Sequence, residues 1–360
     1  MDQHQSAHGV RNDSRIGPML WIGFYTFLLN IVTLTLFRFW GRTHFRRRLW
    51  SETTYEGEPL VYTGKGLELF VGFVIATVVL AVPFIAFLFA SQLLLGEIGF
   101  VVALTLLYIV MFALIGTAIF LARRYHLSRT TYRGVRFAQT GSSIAYGFVN
   151  LGYILLTGIT FGWFGPAARV RLSRRMWANA YYGSEPIRFE DTPEAKAEPV
   201  YKSFAVAWVG GLIGYIGWIA LFTSVVSLEE MAESVTPDIG VVITIYATLI
   251  PFALFIGVVA AWHEAVMTRR ITKSIGLGEA RLTSRFSTID MIELTITNML
   301  LIIFTLGVGL MPAQMRLWKR YANRMSVIGE IDFNAIEQSK ERTPGTGEGL
   351  ADGLDIAANF

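Results

Sequence analysis

The chain has 360 residues, of which 53% are hydrophobic and only 16% charged, where soluble globular chains carry about 25% charged residues. Its mean hydropathy is +0.48, and apolar runs longer than about 18 residues recur, the length a bilayer-spanning helix needs. There is no cysteine, which excludes disulfides, thiolate catalysis and thiolate metal sites; the net charge of +4 is small but unevenly placed.

Residues 1–16 are polar, without the apolar core of a secretory signal, and read as a disordered arm. An apolar segment runs from Pro18 to about Phe37. Arg38, Arg42, Arg46, Arg47 and Arg48 follow, interleaved with Phe39, Trp40, Phe45, Leu49 and Trp50. That mixture predicts a helix in the headgroup region, with rings in the interface and guanidinium groups near phosphates. A polar stretch, Ser51-x-Thr53-Thr54-Tyr55-x-Gly57, comes next.

From Gly66 to Ala122 there is no Lys or Arg. Two apolar runs parted by Gly96-Glu97 predict a transmembrane hairpin, with Pro83 kinking its first arm. A loop crowded with Arg123, Arg124, Arg129, Arg133 and Arg136 then repeats the earlier spacing as Ser128-x-Thr130-Thr131-Tyr132-x-Gly134, 77 residues on. The glycine-rich apolar segment at 143–165 leads into Arg169, Arg171, Arg174 and Arg175. A constant shift of 127 residues carries Thr33 to Thr160, Arg42 to Arg169, Arg47-Arg48 to Arg174-Arg175, Trp50 to Trp177, Tyr55 to Tyr182 and Glu58-Pro59 to Glu185-Pro186. Such self-similarity marks a repeated structural unit.

A second stretch free of Lys and Arg, Ser203 to Thr268, predicts a second hairpin around the acidic turn at 229–238. Arg269, Arg270, Lys273, Arg281 and Arg285 close it. A third, looser unit spans about Met291 to Pro312, followed by Arg316, Trp318, Lys319, Arg320 and Tyr321. Beyond Asn334 the tail is polar and reads as disordered.

The fold class expected from this pattern is an all-α polytopic membrane protein. About four full spans form two hairpins (about 66–122 and 203–262). Three apolar segments, in units at about 18–65, 143–190 and 289–333, are each followed by a basic-aromatic interfacial helix. Positive loops mark the cytoplasmic side, so both hairpins turn outward. The segment at 143–165 then lies between two cytoplasmic loops, and is either re-entrant, which its glycines ease, or a span that violates the charge rule.

Three matching pieces, in order, carry a family resemblance: Thr33-Leu34 with Phe39-Trp40 and Arg47-Arg48; Thr160-Phe161-Gly162 with Pro166 and Arg174-Arg175; and Thr305-Leu306-Gly307 with Pro312 and Arg320-Tyr321. Over most of residues 18–333 the chain resembles the YjgN family of bacterial inner-membrane proteins, known by a domain of unknown function. The resemblance implies a multi-pass protein of the bacterial inner (cytoplasmic) membrane and brings no reaction or ligand. The chain departs from the family by Thr35 where glycine is usual.

The strongest chemical feature is the arginine set Arg42, Arg47, Arg48, Arg169, Arg174, Arg175, Arg316 and Arg320. It serves either as a topology signal with generic attraction to anionic lipid or as a cytoplasmic anion-binding surface with arginine pairs clamping phosphate. Asp290, Glu293 and Thr297 share one helix face and are either an intramembrane polar site or a solvated helix N-terminus. His263-Glu264 begins like a zinc motif, but Met267 stands at the second ligand position, so no metal is expected. No convergent nucleophile, base or metal set points to an enzyme, and no cofactor is implied. Transport or permeation of a small solute or lipid is one expectation. A non-catalytic envelope protein that binds anionic lipid or organises membrane partners is the other. Nucleic acid is discounted because the basic tracts abut apolar spans.

Overall fold

The computed structural model describes residues 7–225 and 239–339. The repeated Tyr-x-Gly segments are tight hairpin turns. Glu56 and Gly57 (φ 47° and 81°), and Arg133 and Gly134 (φ 46° and 77°), both take left-handed backbone. That is the signature of the two-residue turn whose twist matches paired strands. They join β2 (Thr53–Tyr55) to β3 (Glu58–Tyr62), and β4 (Thr130–Tyr132) to β5 (Val135–Gln139). Two further hairpins, with Gly183 and Gly278 at positive φ, join β6 (Ala180–Tyr182) to β7 (Glu185–Phe189) and β8 (Ile275–Leu277) to β9 (Ala280–Ser284).

Ten strands close into an antiparallel barrel in chain order. β1 (Ala7–Asn12) completes it: its first half pairs with β10 (Met325–Ile328), Ala7 opposite Ile328, and its second half with β2, Asn12 opposite Thr53. Closure removes every sheet edge.

Successive antiparallel strands put their connections at alternate ends. The four tight turns therefore lie at one end, and all five helical connections rise from the other. Three are helix–bend–helix pairs: α1 (Ile16–Val32) with α2 (Arg38–Ser51), α4 (Ser143–Ile159) with α5 (Gly165–Trp177), and α9 (Thr288–Phe304) with α10 (Leu310–Ala322). Between them come α3 (Gly66–Ser128), and then α6 (Pro193–Lys196), α7 (Val200–Val225) and α8 (Ile239–Thr272). Because five connections alternate around a closed ring, the first and third pairs become neighbours, with Gly23 against the Val308 carbonyl.

A straight helix of 63 residues would hold its ends about 95 Å apart. Instead Thr63 N–H donates to the Arg129 carbonyl at 2.8 Å, and Arg129 pairs with Glu68 at 2.9 Å. The helix folds back at Gly96, whose φ of 65° and ψ of −154° are non-helical. Among the described residues, three helices are by length and composition apolar enough to cross a membrane: Gly66–Ser128, Pro193–Val225 and Ile243–Thr272. Their outward faces expose Val79, Phe89, Leu94, Ile213, Ile216 and Tyr246. The acidic turn at 229–238 and the tail beyond 339 lie outside the described residues.

The three pairs bend alike. Thr33, Thr160 and Thr305 each donate a side-chain hydrogen bond to the carbonyl four residues back. Each hydroxyl also accepts the N–H four residues on, of Phe37, Phe164 and Gly309. Leu34, Phe161 and Leu306 follow, each at φ 50°, and then Thr35, Gly162 and Gly307 at 71°, 92° and 91°. N–H bonds from these last three to the carbonyls of Asn30, Thr157 and Ile302 complete a left-handed helix end. The first helix of each pair has 17 residues, about 25 Å, less than the about 30 Å hydrocarbon core. Both ends of each pair lie in paired barrel strands.

The all-α expectation is thus corrected: a ten-stranded closed barrel organises the chain. Strands of three to six residues are too short for a period-of-two signal, and the turns that betray them look in the sequence like a polar stretch and an arginine-rich loop. Residues 7–12, read as part of an arm, are a barrel strand. The rings on the basic helices are also corrected, from interface to core. Phe39 and Leu49 are fully buried, and Trp50 stacks on Trp318 at 5.5 Å. The two indoles donate to Thr130 and Thr53, the first residues of β4 and β2, and so sit at the helical end of the barrel. At the opposite end Tyr55, Tyr132, Tyr182 and Phe333 cluster. The Tyr182 hydroxyl donates to the Tyr132 carbonyl and that of Tyr132 to the Tyr55 carbonyl. Burial pushes Tyr55 and Tyr182 up to about 12.

Candidate functional site

Most of the arginines singled out by the sequence are tied to internal acceptors where the helical connections meet the barrel. Arg47 donates to the Gly64 carbonyl at 3.2 Å and Arg48 pairs with Glu52 one helical turn on. One nitrogen of Arg169 is shared between both oxygens of Glu264 at 2.8 Å. Arg316 donates to the Thr297 hydroxyl at 2.8 Å. Arg42 is half-buried on α2. Arg175 is exposed at the end of α5.

The acidic group at the start of α9 is an ion network. Ser287 and Asp290 form a capping box. Arg320 bonds Asp290 at 2.6 Å and both oxygens of Glu293 at 2.9 Å, and Arg324 reaches Asp290 at 3.2 Å. Burial works to raise the Asp290 pKa. The Ser287 N–H, Arg320, the Ser287 hydroxyl and Arg324 overcome it and bring the group to about 2. Glu293 is lowered by the same Arg320. These residues, with Thr297, fasten α9 to α10.

The second long connection has a comparable root. Arg270, only 9% exposed, and Arg174 take the two oxygens of Asp191. Asp191 is held below the usual carboxylate range, first by the Arg270 hydrogen bond. Glu198 receives Arg269 at 2.9 Å and Lys273 at 2.6 Å.

Over this floor lies an open cleft of about 600 Å³ between α5 and the α6–α7 segment. Arg171, Arg174, Lys196, Lys202 and Arg270 line it against two carboxylates, Asp191 and Glu198, leaving it net cationic by three. Arg174 and Arg270 are committed to Asp191. Arg171, Lys196 and Lys202 are exposed, and among the described residues no carboxylate pairs with them; Arg171 lies 5.4 Å from the Phe164 ring. The remaining wall is apolar, Pro166, Ala167, Val170, Val200 and Tyr201, and continues into the exposed apolar face of α7. Three positive charges above an apolar wall suit an amphiphilic anion.

The chain matches DUF898, described as a bacterial protein of unknown function, over residues 19–353. It belongs to that family. This is the family that the YjgN resemblance indicated. No curated protein and no solved structure matches the chain.

In this DUF898 chain the sequence-derived site is thus only partly assembled. Arg174 lines the cleft; Arg169, Arg320, Asp290 and Glu293 are consumed in ion pairs, and Arg47, Arg48 and Arg316 have acceptors nearby. Arg171, Lys196 and Lys202 were missed as site residues. No local signal finds them, because the cleft joins α5 to a segment some thirty residues further along.

Proposed function

We propose that this protein is a non-catalytic membrane component that binds anionic lipid headgroups where its barrel meets the bilayer. On this reading the helical connections enter a bacterial inner membrane and the barrel lies on its cytoplasmic side, as the basic loops at the helix roots favour. The observation that carries the proposal is the cleft beside α5, with Arg171, Lys196 and Lys202 unneutralised above an apolar wall that runs onto α7. Headgroup phosphate meets the cations while acyl chains follow the helix. Permeation has less support: rings occupy both ends of the barrel, Trp50 and Trp318 at one, three tyrosines and Phe333 at the other.

Near-surface basic residues attract anionic lipid by about 1 kcal/mol each. Arg171→Gln, Lys196→Gln and Lys202→Gln together are therefore expected to lower affinity for phosphatidylglycerol on the order of a hundredfold. Lipid co-purification read by mass spectrometry, and recovery on phosphatidylglycerol against phosphatidylcholine vesicles, measure this. Equal phosphatidylglycerol in the wild type and the triple variant overturns the proposal.

A further inference from the structure

The second and third helix–bend–helix pairs correspond at a constant shift of 145 residues. Ser142 and Ser287 cap α4 and α9 through the N–H groups of Ala145 and Asp290. Arg124 and Arg269 donate to the equivalent carbonyls of Gly141 and Phe286. Thr160 and Thr305, then Gly162 and Gly307, make the same bend.

In this frame Arg320 corresponds to Arg175, Asp290 to Ala145 and Glu293 to Phe148. Arg320 is met by both carboxylates. Among the described residues no carboxylate meets Arg175, and the place of Asp290 is taken by an exposed alanine. A second guanidinium reaches the same helix pair from α3. Arg123, where the third pair has Thr268, lies 4.0 Å from the centre of the Trp177 ring. Its Nε and one terminal nitrogen are buried without a hydrogen-bond partner. Arg123 and Arg175 are both within electrostatic reach of the Tyr146 hydroxyl. One pair thus supplies its own anion, while the other has no carboxylate at the equivalent positions and brings the charges of two guanidiniums to bear on one phenol. Buried donors left unpaired are strongly disfavoured, and a guanidinium presents a planar fork that matches phosphate.

We infer that Arg123, Arg175 and Tyr146 form a phosphate-binding site, in which a free phosphate or a lipid phosphate occupies the position that the Asp290 carboxylate holds in the third pair. The site lies apart from the cleft lined by Arg171, Lys196 and Lys202 and does not rest on it.

The test is the apparent Tm of the full chain, first in neutral detergent with inorganic phosphate against sodium chloride at matched ionic strength, then in nanodiscs of phosphatidylglycerol against phosphatidylcholine. Binding to the folded state raises Tm with ligand concentration. A phosphate-specific rise identifies a site open to free anion. A rise confined to phosphatidylglycerol identifies a headgroup site. Either supports the inference if, in the Arg171→Gln/Lys196→Gln/Lys202→Gln background that lacks the cleft charges, Arg175→Gln weakens the dependence on the order of tenfold and Ala145→Asp abolishes it. Ala145→Asp places a carboxylate at the third helical residue after the Ser142 cap, where an acidic group is favoured. It is expected to raise Tm without phosphate, so lost folding does not mimic lost binding. The Arg171→Gln/Lys196→Gln/Lys202→Gln variant keeps the phosphate dependence even where it loses lipid. The inference fails if the wild type responds to neither ligand, if chloride gives the same rise, or if Arg175→Gln and Ala145→Asp respond as the wild type does.

Discussion

The first and third helix–bend–helix pairs lie side by side on the ring and make the same turn with different means. The third uses Leu306-Gly307 and locks its helices together through Asp290, Glu293, Arg320 and Arg324. The first uses Leu34-Thr35, a β-branched residue held at φ 71°, and its terminal Arg48 turns to a local partner, Glu52. Equal backbones therefore carry unequal local costs. The local bonds of the bend, from the Thr35 N–H to the Asn30 carbonyl and through the Thr33 hydroxyl, hold Thr35 in a conformation its own side chain disfavours, whereas the third pair combines a favourable turn with an ion network around the buried Asp290.

The largest expected effect breaks that network. Asp290→Ala leaves Arg320 and Arg324 without their buried acceptor and removes half of the capping box. Arg320 keeps Glu293 and both guanidiniums are partly exposed, so the lost acceptor and cap together cost about 2–3 kcal/mol, and the unfolding midpoint in denaturant should fall clearly. Acid does the same work reversibly. The folded Asp290 pKa is about 2, against about 3.9 for an unfolded aspartate. Its stabilisation is full above the unfolded value and is lost as pH falls toward 2. Asp290→Asn should flatten that part of the pH–Tm profile; an unchanged acid limb would move the cause to another carboxylate.

Exchanging the bends gives a smaller effect of opposite sign in the two pairs. Gly307→Thr should destabilise by roughly 1–2 kcal/mol, and Thr35→Gly should stabilise by somewhat less, since relief of left-handed strain is partly offset by glycine's unfolded-state freedom. Thermal melts of both variants decide this, and a destabilised Thr35→Gly would mean that the threonine side chain packs more usefully than its backbone suggests. Smallest of all, Glu52→Ala removes a one-turn pair with Arg48 that is 47% exposed on the arginine side. Exposed pairs are worth 0–1 kcal/mol, so its Tm should stay close to the wild type.

The order of the parts was legible in the sequence. The apolar segments, the recurrence of Thr33 at Thr160 and the shared Tyr-x-Gly spacing could be read from residue types alone, because helix periodicity, capping and turns are set by neighbours a few positions apart. The same locality made Tyr55-Glu56-Gly57 and Tyr132-Arg133-Gly134 visible as a recurring motif. It could not show that they were hairpins of one barrel.

What only the tertiary structure decided is which charges remain unneutralised. Asp191 sits 17 residues from Arg174 and 79 from Arg270, and Glu264 sits 95 from Arg169. In the sequence all of those arginines look alike, since a charge can be neutralised by any carboxylate the fold brings near. Folding tied most of the arginines that looked like a binding surface to internal acceptors, and among the described residues it left Arg123, Arg171, Arg175, Lys196 and Lys202 without a carboxylate of their own.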